Sequence, residues 1–135
     1  MKDHSICTVS GASSLIEGIG RHRCEPSFVP ELIDRAYAVS DSASIAAARV
    51  LSRRIGRSCG GSTGTNMCAV SQVVREMVDR GERGSIVTLL CDSGDRYRST
   101  ILDDSWLLSR GIDITPEEDA MERFFDPSIV RAPVT

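Results

Sequence analysis

The sequence predicts an α/β unit: a partial three-layer αβα arrangement around a mostly parallel sheet. Three observations carry this. Segments with strand and helix signatures alternate in the order strand, helix, glycine-rich turn, helix, strand, helix, the pattern of a sheet covered by crossover helices. The run Ile86-Val87-Thr88-Leu89-Leu90-Cys91 is apolar without alternation, as in a parallel strand buried on both faces. Only that strand and two weaker candidates occur in 135 residues, so the sheet it belongs to has neighbours that this chain does not supply.

Taken in order, residues 1–10 are small and polar and read as an irregular lead-in. Residues 15–30 hold Gly18, Gly20, Pro26 and Pro30, which describes a loop with fixed turns; a helical turn fits after Pro30, since proline is tolerated at a first helical position. Tyr37-Ala38-Val39 reads as a short strand. Ser40 or Asp41 then caps a helix over 42–55, whose Ile45, Ala48, Leu51 and Ile55 fall on one face, with Gly56 as its stop. Cys59 to Asn66 is a glycine-rich turn. A second helix follows, with Met67, Val70, Val74 and Met77 or Val78 on one side and Gly81 as its end. The strand 86–91 runs into the turn Asp92-Ser93-Gly94-Asp95. Asp103 or Asp104 caps a short helix through Trp106-Leu107-Leu108. Thr115-Pro116-Glu117-Glu118 is a capping box that opens a helix over 116–125, closed by Pro127. The chain divides into a lead-in (1–10), a main body (11–111), and a C-terminal helix and tail (112–135).

Composition narrows the function classes. Hydrophobic residues make up 41% and charged residues 26%, the balance of a globular chain. With 16 basic and 19 acidic residues the net charge is −3, and no basic stripe stands out, which argues against nucleic acid. No apolar stretch reaches the ~20 residues of a membrane span, and no apolar segment follows Met1-Lys2-Asp3-His4-Ser5, so neither membrane nor secretion is expected. Five cysteines, none in a C-x-x-C pair, and two histidines speak against zinc and for free thiols in a reducing cytoplasm. Lys2 is the only lysine.

Three short segments have the chemistry of a site. Gly60-Gly61-Ser62-Thr63-Gly64-Thr65 opens a helix: glycines admit a ligand close to the backbone, and the helix N-terminus offers free N–H groups beside hydroxyls. No lysine follows the last glycine, so it is not a nucleotide-binding P-loop. Asp92-Ser93-Gly94-Asp95-Arg96-Tyr97 stands directly after the buried strand, where open α/β sheets bind ligands; it serves equally as a solvated turn with an internal Asp–Arg pair. Glu17-Gly18-Ile19-Gly20 allows close backbone approach, or is simply a tight turn.

Together, Glu17 to Gly20, Pro26-Ser27-Phe28-Val29-Pro30, Gly60 to Thr65 and Ile86 to Tyr97, in this order and spacing, resemble the C-terminal part of the cysteine synthase family. These are pyridoxal-phosphate (PLP) enzymes of the tryptophan synthase β-like fold, fold type II. The resemblance runs from about Gly11 to Gly111. The run from "GASSLIEGIGR" to "CDSGDRY" is most similar to the bacterial cysteine synthase or cysteine desulfhydrase branch. It implies that Ser62 hydrogen-bonds the pyridine nitrogen of PLP, that Gly18 and Gly20 lie along the cofactor face, and that Cys91 and Asp92 sit near the ring nitrogen. A serine there leaves the ring closer to neutral than an aspartate would, which suits β-elimination and β-replacement on an amino-acid substrate. Many relatives have proline where Cys91 stands.

The same resemblance implies what this chain lacks. The family's cofactor-binding lysine and its phosphate loop belong to the N-terminal half. Lys2 stands in the polar lead-in, without the desolvation or held geometry that activates an amine. No catalytic residue is therefore assigned. The expectation is a C-terminal segment inactive alone; alternatives are one half of a split enzyme completed by an N-terminal half or a homodimer partner, and a non-catalytic binding module.

Overall fold

A computed structural model describes residues 13–19 and 26–126. The lead-in with Lys2, and also Gly20, Cys24 and Pro127, lie outside the described residues. Four helices form the body: α1 (Asp41–Ile55), α2 (Gly61–Asp79), α3 (Asp104–Ser109) and α4 (Thr115–Phe124). Among the described residues two 3-10 turns accompany them, at Pro30–Leu32 and Gly94–Tyr97.

The local chemistry of α1 follows the sequence reading. The Ser40 hydroxyl accepts the Ala43 N–H and caps the helix, and Gly56 ends it in the left-handed conformation at φ 65°, which glycine adopts without steric cost. Asp103 caps α3 by accepting the Trp106 N–H at 2.7 Å. Thr115 does not act as the cap foreseen for α4. Its N–H instead donates to Asp113 at 2.9 Å, and Pro116 occupies the first turn.

α2 begins at Gly61, six residues before Met67. The glycine-rich run is thus the first turn of the helix and not a separate loop. The reason is packing. A Cβ on Gly64 would overlap the Ser44 carbonyl oxygen and come within 2.7 Å of the Ala48 nitrogen, so α1 and α2 cross backbone to backbone there. α1 also packs on α4, and Arg53 ties them by pairing with Glu118 at 3.0 Å and Glu122 at 3.1 Å.

Two apolar clusters fill the body. One joins Ile16, Ile45, Ala46, Tyr97, Ile101, Leu107 and Ile114. The other joins Ala47, Val50, Leu51, Cys59, Met67, Cys68 and Met121.

The parallel sheet is the expectation that the structure does not reproduce. Among the described residues there is no strand, only an isolated antiparallel bridge between Cys59 and Ser93. Residues 37–39 are unpaired. Residues 82–91 form an extended arm, exposed along its whole length, with Val87 92% and Leu89 72% accessible. A strand cannot satisfy its own backbone. With no neighbouring strand among the described residues, this apolar run has nothing to pair with and is held only at its C-terminal end.

Candidate functional site

The arm's end is laid against the mouth of α2 by two backbone hydrogen bonds. The Gly60 N–H donates to the Asp92 carbonyl at 3.1 Å, and the Gly94 N–H donates to that of Ser58 at 3.2 Å. Both glycines are required by this closeness. A Cβ on Gly60 would overlap the Asp92 carboxylate and lie 3.0 Å from the Tyr97 ring, and one on Gly94 would lie 2.6 Å from the Cys59 carbonyl.

Asp92 is half-buried and fixed by Tyr97, whose hydroxyl donates to Asp92 Oδ2 at 2.6 Å. That bond, helped by burial, pushes the Tyr97 phenol up to about 12, so it remains a donor throughout the neutral range. Asp92 therefore presents one engaged and one less engaged carboxylate oxygen beside Gly60. The foreseen internal Asp–Arg pair within this turn is replaced: Asp95 pairs with Arg98 at 2.6 Å, and Arg96 reaches Glu17 at 3.9 Å.

Of the polar residues in the first turns of α2, three are committed to structure. Thr63 Oγ1 accepts the Cys91 N–H at 2.9 Å. Thr65 donates to Ser44. Asn66 Nδ2 donates to the Leu89 carbonyl at 3.2 Å. Ser62 alone of this set makes no side-chain hydrogen bond among the described residues, and it is half-buried at the helix mouth. A hydroxyl so placed, backed by the unpaired N–H groups of a helix start, suits a ring nitrogen or an anionic oxygen.

The early loop reaches the same place. Ile16 is buried, and a Cβ on Gly61 would meet its Cδ1 at 2.7 Å; Ser14 and Leu15 bond the Asp41 carboxylate at 2.6 and 2.7 Å. Gly18 follows at φ 84°, with open space where a side chain would stand. The structure thus brings Ile16, two residues before Gly18, against Gly61, and Asp92 against Gly60, the two residues that precede Ser62. Gly20, the fourth site residue read from sequence, lies outside the described residues. Sequence reasoning placed Thr63 and Tyr97 inside candidate segments but gave neither of them, nor Asn66, a role of its own; they hold the arm's end and the Asp92 carboxylate. A tyrosine five residues after an aspartate in a turn was the one visible signal.

This geometry fits one end of PLP and not the other. An uncommitted hydroxyl at a glycine-lined helix mouth matches the pyridine nitrogen. No lysine stands among the described residues to meet the aldehyde. Among the described residues there is also no His/Cys/Asp/Glu cluster able to hold a metal, and no described helix is long and apolar enough to cross a membrane.

Over 116 residues, 86% of its length, the chain is 51% identical to an L-cysteine desulfhydrase of Mycobacterium tuberculosis and covers 32% of that protein. It is 37% identical over 101 residues to a cystathionine beta-synthase of Mus musculus, covering 17% of it. It is 33% identical over 101 residues to cysteine synthase 2 of Schizosaccharomyces pombe, covering 25%. The chain spans a third or less of the length of these curated relatives. No family model matches it. The class is that of fold type II PLP enzymes acting on amino acids. Within it, the chain belongs to the cysteine synthase and cysteine desulfhydrase family.

Proposed function

We propose that this chain is the C-terminal segment of a PLP-dependent enzyme of cysteine metabolism and forms the pyridine end of its cofactor site. The observation that supports the reading is the uncommitted Ser62 hydroxyl in the first turn of α2, whose entrance at Gly60 is closed by Asp92, itself bonded by Tyr97. Ser62 would accept or donate at the ring nitrogen, and Gly18, Gly20 and Asp92 would line the cofactor. Bound there, PLP supplies the electron sink for β-elimination or β-replacement. This chain's part is orientation. A neutral hydroxyl holds the ring without fixing a proton on it, and the Tyr97–Asp92 bond keeps the carboxylate from swinging onto the ring. The 51% identity with an L-cysteine desulfhydrase favours breakdown of cysteine to sulfide, pyruvate and ammonia over its synthesis from an activated serine and sulfide.

The chain alone is expected to be inactive, because the lysine and the phosphate loop of the family belong to the other part of the fold. The exposed arm favours completion by that part. Ile86, Val87, Leu89 and Leu90 are all exposed, and in the finished enzyme the arm would be a central strand of the parallel sheet. The test is complementation. The 135-residue chain mixed with PLP should show no absorbance of lysine-bound cofactor. Adding a lysine-bearing N-terminal half taken from the Mycobacterium tuberculosis relative should generate that absorbance together with sulfide release from cysteine. Ser62→Asp should shift the cofactor spectrum of the complex, while Ser62→Ala lowers turnover. A stable cofactor band in the lone chain that survives Lys2→Ala would overturn the reading.

A further inference from the structure

The arm 82–91 is bare along its length, yet the two edges of its backbone are not equally free. In an extended run the N–H and C=O of one residue point to the same edge, and alternate residues share an edge. Leu89 and Cys91 turn theirs toward α2. The Cys91 N–H donates to Thr63 Oγ1 at 2.9 Å, and the Leu89 carbonyl accepts the Asn66 amide at 3.2 Å. Thr63 is 2% exposed, so this closure belongs to the helical body. The opposite edge is met only beyond the apolar run, where the Gly60 N–H donates to the Asp92 carbonyl and the Gly94 N–H to that of Ser58. Short of that point, the backbone groups of Ile86, Thr88 and Leu90 have no partner among the described residues. Nothing blunts this edge. Residues 86–91 contain no charge and no proline, the usual protections of an unpaired strand.

We infer that the edge formed by Ile86, Thr88 and Leu90 is the docking surface for one strand of an N-terminal half, and that Thr63 and Asn66 close the other edge so that this strand adds on one chosen side. The inference rests on the reading that such a half completes the chain. The chain spans 32% of the Mycobacterium tuberculosis desulfhydrase, and the rest of such a protein is the source of the strand. Recognition is by the backbone. Unpaired N–H and C=O groups call for an extended segment whose own groups alternate at the same spacing. Thr63 and Asn66 also fix where pairing stops. On the edge facing α2, a ladder can run no further than the Leu89 N–H, because the Leu89 carbonyl is already taken. On the open edge it runs through Leu90 and stops at Gly60. A strand added there therefore reaches the entrance of α2, and a strand on the closed edge does not.

The test is hydrogen exchange of the 15N-labelled 135-residue chain, read amide by amide, before and after adding the lysine-bearing N-terminal half of the Mycobacterium tuberculosis relative. In the dilute chain alone the Cys91 amide should exchange slowly. It should stay slow in Thr63→Ser, which keeps the acceptor, and speed up about tenfold in Thr63→Val, the weight of one hydrogen bond. Thr88 and Leu90 should exchange as in an open chain, and slow by at least about tenfold once the half is added. Leu90→Pro removes a donor from the open edge. It should weaken association by at least about tenfold, with the far-UV circular dichroism of the chain alone unchanged. Thr88 and Leu90 amides left unprotected by the added half overturn the inference, even where lysine-bound cofactor absorbance appears. Protection without that absorbance upholds the pairing and counts against the cofactor reading instead. Protection that grows with the concentration of the chain alone and gains nothing from the added half assigns the edge to a second copy and overturns the inference. So does association undiminished by Leu90→Pro.

Discussion

The α1–α2 pair and the arm 82–91 are built from similar residues and meet opposite fates. Ile45, Ala46, Ala47, Ala48 and Val50 are fully excluded from solvent, while Val87 and Leu89 are 92% and 72% exposed. The difference is one of hydrogen bonding. A helix closes its backbone bonds within itself, so two helices need only each other's apolar faces to be complete. A parallel strand needs partners on both edges as well as cover on both faces. Among the described residues the helices therefore satisfy one another, and the arm 82–91 does not find its partners.

The strongest way to break the helical side is at its closest approach. Gly64→Val places a side chain into the Ser44 and Ala48 backbone. It should cost about 3 kcal/mol or more and abolish a cooperative urea transition. Ile45→Ala, at a fully buried position, should cost about 2–5 kcal/mol in the same measurement through the cavity it leaves.

Tyr97→Phe probes the junction between the two regions. Loss of its bond to Asp92 should cost on the order of 1–2 kcal/mol at neutral pH. Its pH signature is specific. The folded-state phenol sits at about 12 against an ordinary 10.0, so its contribution is complete below pH 10.0 and is lost as pH climbs to about 12. A stability–pH curve of the parent should fall faster over that window than the curve of Tyr97→Phe; parallel curves would refute the assignment.

The arm should show the smallest effect. Val87→Asp combined with Leu89→Asp should change the stability of the chain alone by no more than about 0.5 kcal/mol, since exposed positions contribute little. The same pair should prevent complementation by an N-terminal half. A large loss of stability in the chain alone would mean that the arm packs where the structure leaves it bare.

The helices were legible in the sequence because their signals are local. Ser40, Gly56, Gly81 and Asp103 each mark an end that the structure keeps, with Gly81 in the left-handed conformation at φ 64°. The start of α2 was misjudged because Gly60 to Gly64 looks like a loop by propensity; what makes it helical is Ser44 and Ile16, distant in sequence. At the site, Ser62 and Asp92 were singled out only through resemblance to a family. The closeness of Asp92 to Gly60 depends on Gly60 and Gly94 fitting under neighbours that no local pattern identifies. Tyr97 was not legible as a functional group, since its hydrogen bond exists only in three dimensions.

By itself the sequence determined the helix ends, the apolar character of 86–91, the absence of any lysine beyond Lys2, and the family likeness, since all of these are properties of residues and their order. Only the tertiary structure decided that the glycine-rich run is a helix turn, that Asp92 is held against Gly60 by Tyr97 and the backbone, and that the run 86–91 stands bare. Those outcomes depend on which surfaces find a partner, and a partner's presence is not a property of the segment that needs it.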